Sequence, residues 1–253
     1  MDIEMSSDGL FVYVANNVDG TISQFHRDPN TGYLSPITSL GFTVKNICGS
    51  QVISNDNKSL YVLKTDLLDV SGSILQYDRD LNTGELILSR NIIQLSYNDY
   101  PNDLIISADG KFVYCITFKS IYLYKRDINN IYPFHGSLSF VDKINLNPGI
   151  SNSILIISPD GLFAYLLLRD IHSIRQFSRD INSGILTQVG NDFLLLNQSL
   201  PSNIINNIKI SSDGLFLYVL AIESNIGEVL VFSINSNSGV LTLMTSNPLI
   251  PFY

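Results

Sequence analysis

One phrase recurs five times along the chain, at intervals of roughly 50 residues. It begins Ser6-Ser7-Asp8-Gly9 and returns as Ser54-Asn55-Asp56-Asn57, Ser107-Ala108-Asp109-Gly110, Ser158-Pro159-Asp160-Gly161 and Ser211-Ser212-Asp213-Gly214. Each copy runs on into a short apolar stretch with a tyrosine at a fixed place: Tyr13, Tyr61, Tyr114, Tyr165 and Tyr218. A second phrase follows at a steady distance. It reads Arg27-Asp28 to Gly32, Arg79-Asp80 to Gly84, Arg179-Asp180 to Gly184 and, more loosely, Asn235 to Gly239. In the third copy Arg126-Asp127 is present, but Ile131 stands in the glycine slot, so this turn reads as degraded. A period of this size means a supersecondary unit repeated until neighbouring units bury one another's faces.

Each repeat reads as four short strands. The Asp-Gly pair predicts a tight hairpin between the first two strands, with the carboxylate capping backbone amides and glycine taking positive φ. Asn57, the next most tolerant residue at positive φ, fits the same slot. The first two strands are apolar on successive residues, not on alternate ones, which predicts burial on both faces. Polar residues gather in the outer two strands and the links. Helices are excluded by short, β-branched, aromatic segments punctuated by Gly and Asn. The reading is an all-β chain: a β-propeller of five four-stranded blades, or a five-blade portion of a larger, seven-bladed one. It is a single domain over 1–253, with repeats near 1–46, 47–99, 100–150, 151–203 and 204–253. The repeated Arg-Asp pairs read as a turn device, with Asp capping the turn and Arg lying over the neighbouring blade.

Composition narrows the function classes. Charged residues make up only 15% of the chain against 45% hydrophobic, which excludes disorder. The net charge of -8 and the lack of a basic stripe argue against nucleic-acid binding. Two cysteines, Cys48 and Cys115, give neither a disulfide framework nor a zinc ribbon, and Cys115 is expected to be buried. No apolar run is long enough to span a membrane. Met1–Glu4 carries no signal-peptide pattern, so the default expectation is a cytoplasmic protein.

The phrases resemble those of the lactonase-type β-propeller family, which includes 6-phosphogluconolactonase-like and carboxymuconate-cyclising enzymes. The likeness lies in Ser158-Pro159-Asp160-Gly161 with Phe163 and Tyr165, in Tyr13-Val14-Ala15-Asn16-Asn17, and in Asp28-Pro29-Asn30-Thr31-Gly32-Tyr33-Leu34. It implies a propeller with lactone-hydrolase relatives, commonly of seven blades. Family members also tend to carry a Pro-His pair before the first strand of several blades. Here the matching positions are Gly49-Ser50, Asn102-Asp103, Asn152-Ser153 and Asn206-Asn207, with no histidine at any of them.

Propellers bind through the rim made by the links from second to third strand and from fourth strand to next blade. From the former come Asn16, Asn17 and Asp19, then Asp66, Lys119, Asp170 and Glu223. The latter supply Lys45, Asn46, Asp99, Tyr100, Asn102 and Asn203. The densest ionisable cluster is Arg169-Asp170-Ile171-His172 with Arg175. If the chain is an enzyme, His172 would serve as general base and Arg169 and Arg175 as anion clamps. His26, His135 and His172 fall at unlike places and are expected at the surface or rim, with no metal and no cofactor. The leading expectation is a non-catalytic binding or scaffold module that presents its rim to a protein or small polar ligand. Lactone hydrolysis is the alternative. An unclosed ring would expose apolar sheet faces and self-associate.

Overall fold

The computed structural model describes residues 2–16, 19–37, 47–66, 71–129, 135–146, 153–195, 204–223 and 226–248. They form two compact units, Met1–Leu146 and Asn147–Tyr253. The first unit holds three antiparallel sheets. The first sheet joins β1 (Asp2–Met5), β2 (Phe11–Asn16), β3 (Thr21–Arg27) and β4 (Leu34–Pro36). The second joins β5 (Ile47–Ile53), β6 (Ser59–Asp66), β7 (Ser71–Arg79) and β8 (Leu86–Gln94). The third joins β9 (Pro101–Ile106), β10 (Phe112–Thr117), β11 (Ser120–Arg126) and β12 (Leu138–Asn145). In the second unit, one sheet holds β13 (Ile154–Ile157), β14 (Phe163–Leu168), β15 (Ser173–Arg179), β16 (Leu186–Gln188) and β17 (Phe193–Leu194). The other holds β18 (Ile204–Ile210), β19 (Phe216–Glu223), β20 (Ile226–Ile234) and β21 (Leu241–Pro248). All are blades of a β-propeller, each a meander in chain order. Among the described residues no helix is long and apolar enough to cross a membrane.

The fourth blade departs from four strands. Its outer strand is broken at Gly190, and both pieces, β16 and β17, pair with β15. Arg175 on β15 holds Asp192 in the break through two hydrogen bonds of 2.8 and 2.7 Å.

Burial on both faces is met where the apolar runs are unbroken. Every residue of β10 and β14 is buried, whereas β4 is exposed throughout. Cys115 is a free, buried thiol in β10. The Ser-x-Asp-Gly turn is a closed hydrogen-bond circuit. Asp8 accepts from the Ser6 hydroxyl and the Leu10 amide, and the Phe11 amide donates back to Ser6 Oγ. Gly9 sits at φ +70°, and Asn57 takes the same left-handed region at +59°.

The second turn does two jobs. Its carboxylate caps the amides two and three residues on, as Asp28 does for Asn30 and Thr31 at 2.8 and 2.9 Å. Its arginine ties blade to blade. Arg79 Nη1 donates to the Asn57 carbonyl of its own blade at 3.0 Å, and its Nε donates to Tyr13 Oη of the blade before. Tyr13 in turn donates to the Gly84 carbonyl at 2.7 Å. Tyr61, Gly136 and Arg126 repeat this lock between the second and third blades, and Tyr165 with Gly239 repeats its first half in the second unit.

The third turn is not degraded; it is lengthened. Gly136 stands where Gly32 and Gly84 stand, its amide donating to the Asp127 carbonyl as theirs do to Asp28 and Asp80. Sequence spacing hid it, because nine positions separate Asp127 from Gly136 where four separate Asp28 from Gly32. The added residues bring in His135, which is not a surface histidine. Its Nε2 lies 2.8 Å from Asp56 Oδ2 and its side chain is only 13% exposed.

Candidate functional site

Neighbouring blades touch through their first strands: β1 against β5 and β5 against β9 in the first unit, β13 against β18 in the second. First strands are therefore the edges where blades converge, and their side chains define what a ligand meets there. In the first unit these edges are stitched together by side chains. Asp2 accepts from its neighbour Ile3 and, through its other oxygen, from the Gln51 amide on the next blade, each at 2.9 Å. Ser50 Oγ accepts from the Leu104 amide at 3.0 Å and donates to Asp103 at 2.9 Å. The buried Gln51 side chain donates to the Tyr13 carbonyl at 2.8 Å, and its Oε1 has no partner among the described residues.

Glu4 lies among these groups. The same slot holds Val52, Ile105 and Ile156 in the next three blades and Lys209 in the fifth. Burial raises the Glu4 carboxyl to about 7, the negative charge of Asp2 adds to the rise and Asp103 contributes less; a hydrogen bond from the Ile53 amide opposes them. The first strands β1, β5 and β9 carry three carboxylates and no lysine or arginine. A carboxylate poised near neutrality can both take and return a proton at physiological pH. The sequence reading missed Glu4 because the first strands were read as packing elements. The available signal was an acid in a slot that three of the other four blades fill with Val or Ile.

The residues expected from sequence are placed as follows. Arg169, Asp170 and Ile171 form a 3-10 turn after β14, and His172 closes it in a left-handed conformation, φ 48° and ψ 50°. The His172 amide donates to the Arg169 carbonyl at 3.2 Å. Arg175 makes paired bonds to Asp192. Asn16 holds its own link, donating to Thr21 and Ser23 at 2.9 Å, and Asp19 caps Thr21. Asp99 is buried and structural: it accepts from the Lys119 amide and from Tyr122 Oη at 2.9 Å, with Lys143 Nζ at 3.8 Å. Tyr100 is 40% exposed, and Asn102 lies on β9 beside Asp103. Asn17, Lys45, Asn46 and Asn203 lie outside the described residues, as do the side chains of Asp66 and Glu223. Among the described residues no group of three or more His, Cys, Asp or Glu is placed to hold a metal ion.

These blades and edges define a β-propeller, and solved structures named as lactonases share its fold. A candidate 6-phosphogluconolactonase from Bacteroides uniformis matches with a TM-score of 0.76 at 20% identity, over 98% of this chain and 71% of its own. The periplasmic gluconolactonase of Pseudomonas aeruginosa matches with 0.76 at 20%, over 97% and 71%. Hydrazine synthase from Kuenenia stuttgartiensis shares the fold less closely, at 0.63 and 18%, over 96% and 65%. No family model matches the sequence, and no curated protein does. The expectation of a non-catalytic scaffold is corrected by this: structures that match nearly the whole chain are lactone hydrolases by name. That expectation leaned on the missing Pro-His pairs and on rim residues. It never considered the carboxylates of the first strands.

Proposed function

We propose that the chain hydrolyses a lactone, with Glu4 as general base. The observation that carries this is Glu4 itself, a carboxylate on the converging first strands, in a slot that three of the other four blades fill with Val or Ile, and raised to about 7. The fold shared with a gluconolactonase supports it. Glu4 takes a proton from water as the water oxygen bonds to the lactone carbonyl carbon. The ring carbon–oxygen bond then breaks, and the proton returns from Glu4 to the departing ring oxygen, which becomes the hydroxyl of a hydroxy acid. Asp2 and Asp103 keep the Glu4 carboxyl basic enough for the first step, and Gln51 and Ser50 fix the strands that hold them.

The experiment is a hydrolysis assay on neutral and phosphorylated sugar lactones. Turnover should fall by about a hundredfold or more in Glu4→Gln, in the range general-base removal costs. In the unaltered chain it should rise with pH through an apparent pKa near 7. Absence of turnover on every lactone sinks the reading. Full turnover in Glu4→Gln with loss in His172→Ala or Arg169→Ala moves the site to the turn after β14.

A further inference from the structure

We propose, resting on the hydrolytic reading above, that the first strands of the first unit select an uncharged, hydroxyl-rich lactone over its phosphorylated counterpart and repel the carboxylate that hydrolysis makes from it. Two carboxylates are brought to one peptide there. β5 touches β1 on one side and β9 on the other. Asp2 reaches it from β1, accepting from the Gln51 amide at 2.9 Å. Asp103 reaches it from β9, accepting from the Ser50 hydroxyl at 2.9 Å. Ser50 and Gln51 are consecutive, so their Cα atoms lie only about 3.8 Å apart. Glu4 stands two residues beyond Asp2 on β1, on the same face of the strand.

Negative charge prevails on these strands. β1, β5 and β9 carry no lysine or arginine. The strands paired with them add no net charge: β2 and β10 carry none, and β6 has Lys64 and Asp66. Asp2 and Asp103 are held by uncharged donors, the amides of Ile3, Gln51 and Leu104 and the hydroxyl of Ser50. Burial raises the Glu4 carboxyl most, and Asp2 and Asp103 raise it further, so their charge reaches the reacting position. A phosphate monoester carries a charge of about -1.5 to -2 at pH 7 and would be repelled there. It would also hold the proton on Glu4 and so remove the base. A sugar hydroxyl suits the same groups, because it donates and a carboxylate only accepts. Each Asp2 oxygen takes one bond among the described residues, and a carboxylate has room for about four in all. Opening the ring then turns a neutral ligand into an anion, so the strands that bind the substrate weaken their hold on the product.

The test compares kcat/KM on an unphosphorylated aldonolactone and on the phosphate ester of its primary hydroxyl, using the full chain. The neutral lactone should be favoured about thirtyfold or more at low ionic strength. The preference should narrow as ionic strength rises from about 0.01 to 0.15 M and the screening length falls from about 30 to 8 Å. Asp103→Asn removes a charge and keeps both bonds, since Ser50 and Leu104 donate to the same Asp103 oxygen. It should cut the preference about fivefold and tighten inhibition by the hydroxy-acid product about twofold. A role for Asp103 in holding the strands alone would move neither the ratio nor its salt dependence. Turnover of the ester equal to or above that of the neutral lactone overturns the proposal and leaves hydrolysis standing. So does a preference that neither salt nor Asp103→Asn changes, or a product that binds more tightly than the neutral lactone. Should the variant fail to fold, the salt series on the unaltered chain decides alone. Absence of turnover on both lactones overturns the proposal together with the reading it rests on.

Discussion

Tyr13 shows how much one side chain carries in this fold. Its hydroxyl donates to the Gly84 carbonyl and accepts from Arg79, whose guanidinium also lies 4.5 Å over the Phe11 ring. Tyr13→Phe strips an acceptor from a buried arginine and a donor from a buried carbonyl. It should cost roughly 1–3 kcal/mol, measured by urea unfolding. Gly84→Ala should cost more, because Gly84 sits at φ +73° and its added Cβ would displace the Phe11 ring. Glu4 works in the other direction. Its carboxyl is raised in the folded chain from the ordinary 4.5 to about 7, so the penalty of its buried charge is absent below pH 4.5 and grows as pH rises to 7. Glu4→Gln should therefore leave stability unchanged in acid and raise it above pH 7, while removing turnover. Unfolding free energies of both forms between pH 4 and 8 check the sign. Such a residue destabilises the fold that holds it, a cost that the proposed role in catalysis would account for.

Between elements, the second and third blades solve a packing problem differently from the others. Where Phe11 and Phe163 meet the turn glycine of the next blade, the second blade has Ser59, and Gly136 packs directly on its hydroxyl. Arg126, the counterpart of the arginine stacked on Phe11, instead pairs with Asp56 at 2.9 Å and lies 3.2 Å from His135 Nε2. Burial pushes the Asp56 carboxyl up, but bonds from Ser54 and His135 and the charge of Arg126 outweigh it and hold the group well below the usual range. A lowered carboxyl stabilises the fold above its unfolded pKa and loses that contribution as pH falls through the folded one. Asp56→Asn should flatten the acid limb of the stability curve, and His135→Ala should flatten it less, since Arg126 keeps its carboxylate. Ser59→Phe should destabilise by about 1–3 kcal/mol, because the lengthened turn already fills that space. The insertion and the small residue are one exchange, visible only when both blades are in place.

At the scale of the molecule, composition follows from how the blades pack. The low charge fraction has its cause at the same scale: two-faced burial leaves only outer strands and links for polar residues. The amino-acid sequence by itself determined the blades, because a hairpin needs a capping carboxylate and a residue at positive φ, and these are local demands written at Asp8-Gly9 and Asp56-Asn57. It determined five repeats and burial on both faces for the same reason. Only the tertiary structure decided that Gly136 belongs to the third turn, that Arg175 is held by Asp192, and that Glu4 shares its surroundings with Asp103, 99 residues away. Those facts depend on which strands converge and how much water each side chain keeps, and neither is a property of neighbours along the chain.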